Sequence, residues 1–317
     1  MKIGFIGLGA MGRGMAANLQ SSGHELVVND TRREAAQQYL ERGAMWAATP
    51  RELAEQVTLV FTSLPTPADV EAVGLGDDGL AAGMPEGATW IDLSTNSVDV
   101  VRRMQATMKQ HGVDFLDAPV SGGPGGAASG KLAIWVGGDR AVFERYEALL
   151  SEISDELRYI GDSGAGTVAK LVHNMASLAM NMVLVEAMTM GMKAGVEPLP
   201  LWEAIRSGGA GRQRAFDRLS ARFMQGRLDP PSFQLRLAYK DAQLALQVGR
   251  DGGVPMRLCA LTAAEMEEAI NRGWGDRDSQ SFLLLQQERA LVPPFELAEE
   301  DVLRVLAEDS ELVNKTG

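Results

Sequence analysis

The chain has 317 residues, with 30 lysines and arginines against 42 acidic residues and a net charge of −12. With no basic run to offset that balance, nucleic acid is not an expected partner, and at roughly 150 residues per domain the length suits two domains with their own cores. The single cysteine, Cys259, excludes an intrachain disulfide, and His24, His111 and His173 lie far apart, so no metal site is expected and a reducing cytoplasm is the expected location.

From residue 1 to about 160, short β-rich runs alternate with helix-like segments, as a parallel sheet with crossover helices requires. Strands are expected at 2–6, 25–29, 59–63, 89–93, 114–117 and 132–136, followed by a turn at Gly137-Gly138-Asp139 and a closing strand at Tyr159-Ile160. Past Gly161 strand signals stop. A helix over 164–194, ~40 Å long at 1.5 Å per residue, is the expected spine of an all-α region. Further helices are expected at 200–206, 216–223, 235–250, 258–272 and 280–290. The organisation is therefore a doubly wound α/β domain over 1–162, an all-α domain over 163–292 and an acidic extension over 293–317. The longest apolar stretch, 171–192, is interrupted by His173, Asn174, Asn181 and Glu186, each costly in hydrocarbon, so no membrane span is expected. In the extension, Glu296, Glu299, Glu300, Asp301, Glu308, Asp309 and Glu311 surround Val302, Leu303, Val305 and Leu306. A packed helix and a frayed end both fit that pattern.

The first strand runs straight into Gly7-Leu8-Gly9-Ala10-Met11-Gly12, and a helix begins there. In that context Gly7 permits the tight turn, Gly9 lets the backbone approach a pyrophosphate, and Gly12 lets the helix pack closely on the strand. The helix start offers N–H groups and partial positive charge to phosphates. A plain glycine-rich turn is the alternative for such a motif alone. The second strand, however, ends on Asp30, about 20 residues past the turn, where a carboxylate can bind both adenosine ribose hydroxyls. Its charge favours NAD over NADP, while Arg32 and Arg33 leave NADP possible.

The chain resembles the β-hydroxyacid dehydrogenase family, which includes 3-hydroxyisobutyrate dehydrogenases and tartronate semialdehyde reductases. The resemblance spans about residues 1–290 and rests on four blocks in order: Gly-Phe-Ile-Gly-Leu-Gly-Ala-Met-Gly (4–12), Asp-Ala-Pro-Val-Ser-Gly-Gly (117–123), Gly-Ala-Gly-Thr-Val-Ala-Lys-Leu-Val-His-Asn (164–174) and Lys-Asp (240–241). It implies a Rossmann-type domain followed by an all-α domain, and reversible hydride transfer between NAD and a short 3-hydroxy acid or its semialdehyde. It assigns the substrate carboxylate to Ser121, Gly122 and Gly123, proton transfer to Lys170, and the hydroxyl or carboxylate to Asn174. Lys240 is placed beside the nicotinamide with Asp241 in support, and Phe233, Leu64, Pro65 and Thr95 line the dinucleotide groove.

These assignments are chemically sensible. A glycine loop can aim N–H groups at an anion, and a lysine can move a hydroxyl proton in both directions where burial and neighbouring charge adjust its proton affinity. Asn174 lies four residues after Lys170, on the same helical face. Lys131 departs from the threonine of many relatives, and Arg212 and Arg214 are unusual additions that could pair with a second anionic group or remain solvated. An imine reductase would normally replace the lysine, so Lys170 argues against that alternative. The set Ser121, Lys170, Asn174 and Lys240 argues against a non-catalytic NAD-binding protein. The Met-, Leu- and Ala-rich helices suggest a homodimer or homotetramer.

Overall fold

The computed structural model describes residues 1–208 and 217–313. The chain divides into two compact units, Met1–His173 and Asn174–Gly317. In the first unit, one sheet contains β1 (Lys2–Ile6), β2 (Glu25–Asn29), β3 (Met45–Trp46), β4 (Leu59–Thr62), β5 (Thr89–Asp92), β6 (Asp114–Asp117), β7 (Val120–Ser121), β8 (Leu132–Gly138) and β9 (Ser154–Gly161). Their order is β3-β2-β1-β4-β5-β6-β8-β7, and β9 also pairs with β8. The chain thus starts at the centre, winds outward to β3, and crosses back to β4 on the other side of β1. That reversal is the switch point of a Rossmann sheet, where ligands bind beyond the strand C-termini.

Pairings from β3 to β6 are parallel, but β8 runs antiparallel to both β6 and β7. The sheet is thus mostly parallel, in keeping with the doubly wound reading, with antiparallel pairing confined to β8. Residues 122–131, which join β7 to β8, are too few for a crossover, so the strands pair as antiparallel neighbours. Side chains alternate between two cores. Ile3, Phe5, Leu26, Val28, Phe61, Ile91 and Leu116 enter one, while Ile6, Val27, Val60, Trp90 and Phe115 enter the other. Burial on both faces is what a parallel sheet wrapped by helices demands. Those helices are α1 (Gly12–Ser21), α2 (Gln37–Leu40), α3 (Pro50–Ala54), α4 (Pro67–Leu75), α5 (Leu80–Gly83), α6 (Val98–Gln110), α7 (Gly123–Ser129) and α8 (Arg140–Leu150).

The long helix α9 (Ala165–Lys193) starts in the first unit and continues into the second. By length and composition it could cross a membrane. Its buried positions Leu171, Met175, Leu178, Met182, Val185 and Met188 recur every three or four residues, the spacing of a helix packed along one seam. The second unit adds α10 (Pro198–Ser207), α11 (Asp217–Ser220), α12 (Leu235–Asp251), α13 (Arg257–Ala269), α14 (Leu284–Ala290) and α15 (Glu299–Val313). Helix α13 stops before the expected residue 272 because the chain passes through a π turn, with Gly273 at φ 86°. The acidic tail forms α15, burying Val302 and Val305. The buried Arg206 guanidinium donates to the carbonyls of Val305 and Leu306 within α15. Arg212 and Arg214 fall in residues 209–216, which lie outside the described residues.

Candidate active site

The glycine loop follows β1 at the switch point. Gly7 has φ +92°, and a Cβ there would collide with the Ser63 carbonyl oxygen. A Cβ on Gly12 would strike the Gly7 carbonyl oxygen, whereas one on Gly9 would meet nothing within 4 Å. Two glycines therefore close the turn, and the third leaves open space above it. Helix α1 packs against α7 through Gly14, whose Cβ would lie 2.6 Å from the Ala127 carbonyl carbon, and Asn18 donates to the Ala127 oxygen at 2.8 Å.

Asp30, just past β2, does more than the expected ribose contact requires. Its Oδ2 accepts from the Leu8 N–H at 2.7 Å and its Oδ1 from the Arg32 N–H at 2.8 Å, so the carboxylate fastens the glycine loop. The Arg33 guanidinium lies over Trp46, 5.7 Å from its ring centre. At the ends of β4 and β5, Asp92 accepts from Thr62, Ser94 and Asn96 at 2.8–3.1 Å, and the Leu64 N–H donates to Ser94 Oγ at 2.9 Å. Burial pushes the Asp92 carboxyl up. This network fixes the loops carrying Leu64, Pro65 and Thr95.

Asp117, the last residue of β6, joins two motif blocks. Its oxygens accept from the Gly164 N–H at 2.8 Å and the Thr167 N–H at 2.7 Å, capping the start of α9. Burial, the largest influence, pushes its carboxyl up to about 6. The fit is close enough that a Cβ on Gly137 would lie 2.8 Å from the Gly166 nitrogen. So anchored, α9 carries Lys170, buried at 8% exposure, and then His173 and Asn174 within one turn. The Ser121-Gly122-Gly123 loop has φ +135° and +65° at its glycines, a backbone that only glycine adopts readily. Ser121 Oγ lies 3.1 Å from His173 Nε2, and the His173 ring tilts against Trp135 with centroids 5.1 Å apart.

In the second unit, Asn174 Nδ2 donates to Asp241 Oδ2 at 2.6 Å, and Lys240 Nζ pairs with Asp241 Oδ1 at 2.8 Å. Asp241 is 2% exposed. It therefore orients both neighbours. Phe233 is exposed just before α12, its carbonyl accepting from the Ser279 N–H at 2.7 Å.

Residues 2–161 match the family described as the NAD binding domain of 6-phosphogluconate dehydrogenase. Residues 164–285 match that described as NAD-binding of NADP-dependent 3-hydroxyisobutyrate dehydrogenase. A 2-(hydroxymethyl)glutarate dehydrogenase of Eubacterium barkeri is 34% identical over 89% of this chain and 94% of its own. The chain belongs to the β-hydroxyacid dehydrogenase family. A 2-hydroxy-3-oxopropionate reductase of Escherichia coli (strain K12) is 38% identical over 78% of this chain and 84% of its own. The solved structure of a 3-hydroxyisobutyrate dehydrogenase from Salmonella typhimurium superposes with TM-score 0.80 at 27% identity, covering 90% and 99% of the two chains.

This β-hydroxyacid dehydrogenase is an NAD(P)-dependent oxidoreductase acting on the hydroxyl group of small hydroxy acids. The residues present fit the dinucleotide. The open space over Gly9 at the start of α1, where the helix end carries partial positive charge, suits a pyrophosphate, and Asp30 suits the ribose. Among the described residues, no three His, Cys, Asp or Glu side chains gather as metal ligands would. Reading along the sequence missed His173, Asp92 and Asp117 as site-building residues. The Ser-Gly-Gly and Lys-x-x-His blocks offered the only hint, since Ser121 and His173 are 52 residues apart.

Proposed function

We propose that this dehydrogenase interconverts a short 3-hydroxy acid of the 3-hydroxyisobutyrate or tartronate semialdehyde type with its semialdehyde, preferring NAD. The observation that carries this reading is the turn of α9 holding buried Lys170 beside His173, bonded to Ser121, and Asn174, bonded to Asp241. The nicotinamide, when bound, supplies the hydride acceptor or donor. Lys170 takes the hydroxyl proton during oxidation and returns it to the carbonyl oxygen during reduction. Asn174, held by Asp241, orients the reacting oxygen. Ser121 and the main chain of Gly122 and Gly123 bind the carboxylate, and Lys240 adds positive charge on the Asn174 side.

Lys170→Ala is expected to lower turnover by roughly 10²–10⁴ with NAD affinity unchanged by calorimetry. Activity within tenfold of wild type would overturn the assignment. A panel of 3-hydroxyisobutyrate, L-serine, glycerate, threonate, 4-hydroxybutyrate and sulfonated analogues, followed at 340 nm with NAD and NADP, identifies the substrate. Asp30 supports NAD because its carboxylate stands where a 2′-phosphate would bring like charge. A higher kcat/KM with NADP would reject that preference.

We also assign self-association, as a homodimer or homotetramer, to exposed apolar residues of the helical unit. Met180 and Val183 on α9, and Leu258 and Leu261 on α13, are 46–72% exposed, large apolar side chains of the kind that an interface covers. A monomer mass by light scattering would reject it. The lone cysteine supports a reducing, cytoplasmic location.

A further inference from the structure

We propose that His173 is a positioning residue of the substrate site, whose Nε2–H turns the single hydroxyl proton of Ser121 toward the substrate carboxylate. The proposal rests on the assignment of the Ser121–Gly123 loop to that carboxylate. Ser121 Oγ and His173 Nε2 are 3.1 Å apart, and two arrangements satisfy this contact. With a bare Nε2, Ser121 gives its only proton to the ring and shows lone pairs to anything beyond, which a carboxylate repels. With Nε2–H, Ser121 accepts from the ring, and its proton is released for a second bond. An ionised carboxylate only accepts hydrogen bonds, so it binds the second arrangement. Carboxylate binding and the Nε2–H form of His173 therefore favour one another.

The surroundings hold the pair in place. Ser121 sits in register opposite Ala133 of β8, and Ala133 and Trp135 share one face of that strand. The Trp135 ring lies against His173 at 46° between planes, which limits rotation of the imidazole. His173 is also three residues beyond Lys170, about 4.5 Å along the helix axis. One helical turn thereby sets the spacing between the proton-transferring amine and the hydroxyl that grips the carboxylate.

A double-mutant cycle on the NAD-loaded enzyme with 3-hydroxyisobutyrate tests this. His173→Phe keeps a ring against Trp135 but removes Nε2–H, and it is expected to raise the KM for 3-hydroxyisobutyrate about tenfold, with kcat within about twofold and the KM for NAD unchanged. His173→Gln, which restores an N–H donor, recovers most of the loss. In a Ser121→Ala background His173→Phe adds nothing further. Additive effects, or no rescue by glutamine, would overturn the proposal. If Ser121→Ala raises the KM and His173→Phe does not, the proposal alone falls. If Ser121→Ala leaves the KM unchanged, the carboxylate assignment of the loop fails and takes the proposal with it.

Discussion

At two strand C-termini of the N-terminal unit, main-chain N–H groups fix carboxylates: Leu8 and Arg32 hold Asp30, and Gly164 and Thr167 hold Asp117. Around Asn174 in the helical unit the equivalent work falls to side chains, although Asp278 there accepts from the main-chain N–H groups of Ser232 and Gln280. Asp241 holds Asn174 and Lys240, while Arg272 and Arg289 weave through Glu265, Glu268 and Glu288 on the surface. The difference follows from main-chain chemistry. A helix consumes its own N–H and C=O groups along its length, whereas strand ends and helix starts leave donors unspent. Backbone changes should therefore damage the first unit most, and side-chain changes should tune the second.

Gly7→Ala tests the first half most severely. It forces a positive φ on alanine and drives Cβ into the Ser63 carbonyl, so NAD binding is lost and stability falls by about 2–4 kcal/mol. Calorimetric titration with NAD, together with thermal melting, checks this; wild-type affinity would break the comparison.

Asp117→Asn comes next. An amide can accept from only one of the two N–H groups without turning its own NH₂ on the other, costing about 1–3 kcal/mol. The carboxyl lies at about 6 in the folded protein, above its usual value of about 4. The folded state thus holds the proton more tightly than the unfolded state. The associated stability is complete below about pH 4 and is lost as pH rises through about 6. Urea titrations between pH 4 and 7 should show wild type losing ground to Asp117→Asn across that window. Parallel curves would contradict the raised value.

Asp241→Ala probes the helical unit. It removes the acceptor that holds Asn174 at 2.6 Å, and kcat should drop about tenfold with NAD affinity intact. Asp241→Asn, which keeps an acceptor, should retain most of the activity; equal losses in both variants would show that charge matters more than orientation. The smallest effect is expected for Arg304→Ala. Its pairing with Glu203 lies at the surface, where such pairs contribute little, and the melting midpoint should not move.

The central sheet was legible because β1, β2, β4, β5 and β6 are buried on both faces, with short apolar centres that alternate with helix-like segments along the chain. Strands β3 and β7, at two residues each, are too short to show a period. Strand β9 begins well before Tyr159, but its Asp155, Glu156 and Arg158 are exposed and do not read as a strand. The placement of Lys170 and Asn174 on one helix was legible through their motif and spacing, and α9 carries both. His173 and Asp117 were not legible, because what defines them is a partner brought near only by folding. Nor was Asp92, because burial and its bond to Thr62, 30 residues away, set it apart from an ordinary turn aspartate.

Given the proposed preference for NAD, the two bonds made by Asp30 constrain how this protein could change its cofactor. Replacing the carboxylate to admit a 2′-phosphate also unfastens the Leu8 N–H, so a switch toward NADP costs order in the pyrophosphate loop at the same step. Accessible routes pass through residues that keep a short acceptor at position 30. Ser or Asn satisfies that condition and Ala does not, so discrimination between cofactors and rigidity of the loop are inherited as one trait.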